Sequence, residues 1–182
     1  EIYNWKELNK KYNFNAENDA DLLINFLDRF KLEKLKELDG VYSFAYYNDD
    51  KIYLARDILG VKPLCFSYTT DDFSFCSEAK VLEKLDFQDI QELNPRQLMI
   101  YDTKTKKLEF KNRDFFSITP EHKQSYNEIK KTLSKLLDQA IEKRLPNKKV
   151  GLLFSGGIDS TFIAHYLKQK NIDFTCYTTV LD

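Results

Sequence analysis

Apolar residues Ala20, Leu22, Leu23, Phe26 and Leu27, continued by Phe30, recur at three- and four-residue spacing and predict an amphipathic helix over residues 19–27. Asn18 or Asp19 would cap it. After Asp39-Gly40 the pattern shortens to β-type runs at residues 41–47, 51–55, 64–68 and 73–76, separated by Asn48-Asp49-Asp50, Gly60 to Pro63, and Thr69 to Asp72. Asn, Asp, Gly and Pro are turn formers, so these runs read as consecutive antiparallel strands. A short helix is expected over 78–85, and two further strands over 97–101 and 108–111.

Around residues 117–123 the hydrophobic period lapses at Pro120, which places a domain boundary there and divides the chain into 1–118 and 119–182. Beyond it, Ser125 and Glu128 form an S-x-x-E capping box ahead of Ile129, Leu133, Leu136, Leu137, Ala140 and Ile141. That spacing predicts a long helix with one apolar face, stopping near Pro146. A strand over 150–154, a Ser-Gly-Gly turn, a helix over 160–170 and a strand over 174–180 follow. Strand, helix and strand in that order predict a right-handed parallel βαβ unit.

The chain has 182 residues, 42% of them hydrophobic, enough for packed cores. Its net charge of −1 gives no basic face for nucleic acid or an anionic membrane, and no apolar run is long enough to span a bilayer. Small-molecule substrates are the expected partners. Cys65, Cys76 and Cys176 lack C-x-x-C spacing, and two of them, Cys65 and Cys76, sit in strand-like apolar runs where a buried thiol is the ordinary reading, which favours a reducing cytoplasm. His122 and His165 read as ordinary surface or satisfied histidines. The first residue is Glu, so a fragment or processed chain is expected.

Three of the five glycines, Gly151, Gly156 and Gly157, fall at the junction of the predicted 150–154 strand and the following helix. Glycine lets a backbone approach a ligand closely, and a helix start offers unpaired amides and the positive end of its dipole. Ser155 and Ser160 add hydroxyls, a set suited to polyphosphate. The lysine and spacing of a P-loop are missing. Asp159 would repel phosphate unless a divalent cation bridges the two, so the loop implies Mg2+. A tight strand-to-helix turn with Asp159 and Ser160 as caps explains the glycines but not both serines and the aspartate.

Ser155-Gly156-Gly157-Ile158-Asp159-Ser160 resembles the SGGxDS signature of ATP pyrophosphatases, which cleave ATP between its α and β phosphates. The resemblance implies adenosine contacts at Leu153 and near Thr179. Glu1-Ile2-Tyr3-Asn4 resembles the end of N-G-E-I-Y-N, and Asn18 to Asp21 resembles S-D-T-E. Leu38 to Ala45 is similar to L-x-G-x-F/Y-A/S-F-A, Arg56 to Leu64 to R-D-x-x-G-x-x-P-L-Y with Cys65 in place of its tyrosine, and Ser77 to Lys80 to S-E-x-K. In this order the set resembles the glutamine-hydrolysing asparagine synthetases.

That resemblance implies an α+β glutaminase of the N-terminal-nucleophile (Ntn-hydrolase, αββα) type, incomplete here, followed by the start of an α/β parallel-sheet ATP pyrophosphatase domain. It implies glutamine, aspartate and ATP as substrates, a β-aspartyl-adenylate intermediate, and release of AMP and pyrophosphate. Glu1 and Asp19 would contact glutamine, although Asp19 also fits a simple helix cap. Arg56-Asp57 fits a surface ion pair as well as a functional motif. The family's catalytic cysteine, and its oxyanion donors before the motif glutamate, do not precede Glu1 in this sequence. The chain alone is therefore expected to lack glutaminase activity. A related ligase acting on another carboxylate, such as a β-lactam synthetase or peptide amidotransferase, and a non-catalytic nucleotide-binding homologue are the alternatives; a homodimer stays open.

Overall fold

The structure is a computed structural model in which residues 1–70, 72–115, 123–146 and 148–180 are described. The chain divides into two compact units, Glu1–Ile118 and Thr119–Asp182. The boundary segment expected at 117–123, with Pro120 and His122, lies almost wholly outside the described residues.

Unit 1 opens with helices α1 (Trp5–Tyr12) and α2 (Asp19–Phe30). Asn18 caps α2, its side chain accepting from the Asp21 amide at 2.9 Å, so Asp19 is the first helical residue and not the cap. Four strands, β1 (Ser43–Asn48), β2 (Lys51–Arg56), β3 (Cys65–Tyr68) and β4 (Phe73–Cys76), follow, then α3 (Ala79–Lys84), β5 (Gln91–Glu92), β6 (Gln97–Asp102) and β7 (Leu108–Asn112).

The four early strands are two antiparallel hairpins in different sheets, not one meander. One sheet has the order β1-β2-β6-β7 and the other β4-β3-β5. The physical reason lies between β2 and β3. Asp57 captures the Val61 and Lys62 amides at 2.9 and 3.0 Å, turning the chain out of the first sheet, and β2 takes β6 as its second neighbour.

Strand alternation then builds the layers. Ala55 and Leu98 lie in one core with Leu8, Leu22, Phe26 and Phe44, beneath the helix pair. Their neighbours Leu54 and Met99 lie in a second core with Phe66 from the other sheet and with Leu64 and Leu93, which flank its strands β3 and β5. The first sheet is thus covered by helices on one face and by a sheet on the other.

Unit 2 contains α4 (Tyr126–Glu142), β8 (Val150–Leu153), α5 (Ile158–Gln169) and β9 (Phe174–Tyr177). The Ser125/Glu128 capping box is formed. β8 and β9 pair in parallel around α5, the expected βαβ unit. α5 starts two residues earlier than expected, with Gly157 at the N-cap position. The apolar stripe of α4 is present, but Leu133 and Leu136 are 54% and 56% exposed. Among the described residues, no helix is long and apolar enough to cross a membrane.

Candidate functional sites

In unit 1 the segment Glu1–Tyr3 runs beside Asp39–Val41. The Val41 amide donates to the Glu1 carbonyl at 2.9 Å, and the Tyr3 amide to the Asp39 carbonyl at 2.7 Å. Gly40 makes this approach feasible, since a Cβ there would lie 2.3 Å from the Glu1 carbonyl oxygen. Asp19, freed from capping, turns its carboxylate toward the same segment and accepts the Ile2 amide at 3.0 Å. Glu1 and Asp19 therefore share one open cavity of about 270 Å³, with Tyr42, Ser43 and Lys62 also in its wall. The cavity holds acidic groups and one lysine over an apolar floor of Ile2 and Leu23.

Arg56 and Asp57 are not a surface ion pair. Both are buried, and their hydrogen bonds go to backbone. Arg56 donates to the carbonyls of Lys62, Gly60 and Leu93 at 2.6, 2.7 and 2.8 Å and pairs with Glu92 at 2.8 Å. Asp57 accepts the amides of Val61, Lys62 and Tyr42, the last at 3.3 Å. Lys62 is thus pinned through both its amide and its carbonyl, and Tyr42 is held at the cavity wall. Burial raises the Tyr42 phenol above its ordinary value, opposed by nearby Arg113. Tyr42, Ser43 and Lys62 all lie in the recognised motifs, but nothing in the motif pattern marks them as wall residues.

In unit 2 the structure draws Ser155, Gly157 and Ser160 together. The two hydroxyl oxygens are 3.2 Å apart, the Gly157 amide donates to Ser155 Oγ at 3.3 Å, and Ser160 Oγ donates to the Gly157 carbonyl at 3.1 Å. Gly156 has φ of +76°, and no atom lies within 4 Å of where its Cβ would be. The turn requires glycine for its backbone while leaving open space around it. Asp159 sits in the exposed first turn of α5, beside Ile158 at 85% exposure. Leu153 is in β8 and 83% exposed, and Thr179 lies past the end of β9. Sequence reasoning passed over Thr178, whose hydroxyl donates to the Phe154 carbonyl at 2.8 Å and ties the two strand ends together. None of these residues lines the second cavity, an apolar space of about 330 Å³ among α4, β8 and α5.

His165 is exposed on α5. Among the described residues no group of three or more His, Cys, Asp or Glu is arranged to hold a metal ion.

The glutamine amidotransferase domain family matches residues 1–136, three quarters of the chain and every residue lining the unit 1 cavity of Glu1 and Asp19. The chain belongs to that family. The asparagine synthase family matches residues 132–182, including the serine-glycine loop. Among relatives, the putative glutamine-hydrolysing asparagine synthetase 1 of Methanocaldococcus jannaschii is 35% identical over 90% of this chain and 34% of its own length. The glutamine-hydrolysing asparagine synthetase of Gallus gallus is 29% identical over 98% of this chain and 37% of its own. The chain thus spans about a third of the length of these relatives. Among solved structures, glutamine phosphoribosylpyrophosphate amidotransferase from B. subtilis has a TM-score of 0.54 at 17% identity, covering 96% of this chain and 43% of that one. A likeness of that kind places the fold among glutamine amidotransferases.

Proposed function

We propose that this chain carries parts of both sites of a glutamine-dependent asparagine synthetase. Glutamine supplies ammonia at the unit 1 cavity, and ATP activates the side-chain carboxylate of aspartate as a β-aspartyl adenylate at the unit 2 loop, releasing AMP and pyrophosphate. The observation that carries the reading is the order of the two family matches on one chain, amidotransferase first and asparagine synthase second.

Asp19 fits the α-ammonium group of glutamine by charge, and Glu1 lies beside it in the same cavity. Ser155, the Gly156-Gly157 backbone and Ser160 fit phosphate oxygens at the N-terminus of α5, and Leu153, Ile158 and Thr179 fit the nucleoside side of the loop. Asp159 supplies one carboxylate. A single carboxylate shared with phosphate oxygens is the usual donor set for Mg2+, which would offset negative charge there. On this reading the domain boundary falls at 118/119, with the glutaminase before it and the start of the ATP pyrophosphatase domain after it, and the protein acts in the cytoplasm.

The test uses the enzyme containing this sequence. Asp159→Asn is expected to lower aspartate-dependent exchange of pyrophosphate into ATP by at least about 100-fold, while Asp19→Asn spares that exchange and raises the KM for glutamine. Exchange that depends on a different carboxylate would favour a β-lactam synthetase-like or peptide amidotransferase-like ligase. Nucleotide binding with no exchange at all would favour a regulatory homologue.

A further inference from the structure

Cys65 and Cys76, eleven positions apart and with no motif linking them, are brought directly opposite each other across β3 and β4. Both are free thiols, Cys65 buried and Cys76 half-buried. The hairpin fixes the type of pairing. Thr69 and Asp72 close it with a hydrogen bond from the Thr69 amide to the Asp72 carbonyl. Counting outward in twos makes Ser67–Ser74 and then Cys65–Cys76 hydrogen-bonded pairs, whose Cα atoms stand about 5.5 Å apart. Disulfides span Cα separations of about 4.4–6.8 Å, so the Cα spacing lies inside their range, while the Cβ atoms, about 5.5 Å apart in a hydrogen-bonded pair, must close by about 1 Å or more through a local change of strand twist.

We propose that Cys65 and Cys76 form an oxidisable cross-strand dithiol, a modification site whose co-reactant is a low-molecular-weight disulfide. Burial pushes the Cys65 thiol up, Glu92 adds to the rise and Arg56 opposes it, so Cys65 is the slower thiol. Cys76 is the more accessible one and reacts first. Its thiolate attacks the incoming disulfide, forming a mixed disulfide and releasing one small thiol. Cys65 then loses its proton and attacks Cys76 Sγ, forming the Cys65–Cys76 bond and releasing the second small thiol. Two electrons pass from the cysteine pair to the reagent, and the two thiol protons leave on its two halves. The product ties edge strand β4, and with it the start of α3, to the central strand β3.

The experiment incubates the whole chain in glutathione buffers of graded oxidation, quenches by alkylation, and reads intact mass and non-reduced peptides. Expected is one species lighter by two hydrogens that keeps a single alkylatable thiol, Cys176, and yields one cross-linked peptide pair carrying Cys65 and Cys76. Cys176→Ser should give the same link. Cys65→Ser should stop at a glutathione adduct on Cys76. The same incubation in urea supplies the mixture expected of an unfolded chain. Native protein that gave this mixture, or only glutathione adducts, would overturn the proposal.

Discussion

A Cβ on Gly40 would sit 2.3 Å from the Glu1 carbonyl oxygen and 2.8 Å from Ile2 Cα, both of them backbone that cannot swing aside. Gly156 has the opposite problem: space around it is open, but its φ of +76° disfavours any side chain. The two alanine variants should therefore fail differently. Gly40→Ala is expected to cost about 1–3 kcal/mol in urea unfolding because it forces Glu1–Ile2 away from Val41. On the proposed function it should raise the KM for glutamine as well. Gly156→Ala is expected to cost about 1–2 kcal/mol of local strain and, on the proposed function, to weaken nucleotide binding while leaving the KM for glutamine unchanged. A Gly40→Ala protein as stable as the parent would mean that the Glu1 segment does not need this pairing. Arg56 and Asp57 carry a related lesson. The residue pair is plain in the sequence, but that each satisfies backbone groups of a turn, and neither pairs with the other, depends on burial, which sequence does not display.

At the scale of elements, Glu37 locks α1 to the turn before β1. It accepts from the Tyr12 hydroxyl at 2.7 and 2.9 Å and from Lys11 Nζ at 2.8 Å. The Lys11 bond first, then the Tyr12 bond, hold the Glu37 carboxyl below its ordinary value. A carboxyl lowered on folding contributes stability that is present above its unfolded value, about 4.3, and is lost as pH falls through the lower folded value. Unfolding free energy should therefore decline in acid below that point. Glu37→Gln should flatten this decline and cost about 0.5–1 kcal/mol at pH 7 by removing the charge that strengthens both bonds, since the amide oxygen still accepts from Tyr12 and the lysine is exposed. Urea titrations at a series of pH values check both expectations. The elements themselves were legible where local chemistry was strong. The α4 capping box and the 3.6-residue period of α2 fixed where those helices start, though α2 runs three residues beyond the expected end and α4 stops four short of Pro146, and the Thr69–Asp72 turn fixed its hairpin to within a residue. Helix α1, WKELNKKY, carries Trp5, Leu8 and Tyr12 at three- and four-residue spacing facing the core, a short stripe that was legible and that the sequence reading passed over. The two-residue strand β5 was missed because it exists only through its partner β3.

At the scale of the whole chain, the motifs announced both candidate sites, because glycine, serine and aspartate cluster in sequence at the unit 2 loop, and at unit 1 the recognised segments are short and ordered. What stayed hidden was assembly: that Asn18 takes the cap and releases Asp19, and that two hairpins separate into stacked sheets. The α4 stripe belongs here too. Ile129, Leu133, Leu136 and Leu137 are between 39% and 56% exposed, a row of large apolar side chains on one helix face. The described part of unit 2 offers a single two-stranded sheet, whose own core needs are met by Leu152, Tyr166 and Leu167. Exposed rows of this size drive association or binding of apolar dyes. The chain is expected to bind anilinonaphthalene sulfonate and to scatter light increasingly with concentration. Replacing Leu133 and Leu136 together by serine should remove most of both signals, yet change unfolding free energy by only about 1 kcal/mol per site, from lost helix propensity and the covered half of each side chain. A large loss of stability in that double variant would show instead that the stripe is covered in solution, and fluorescence, scattering and urea unfolding on the same preparation separate the two outcomes.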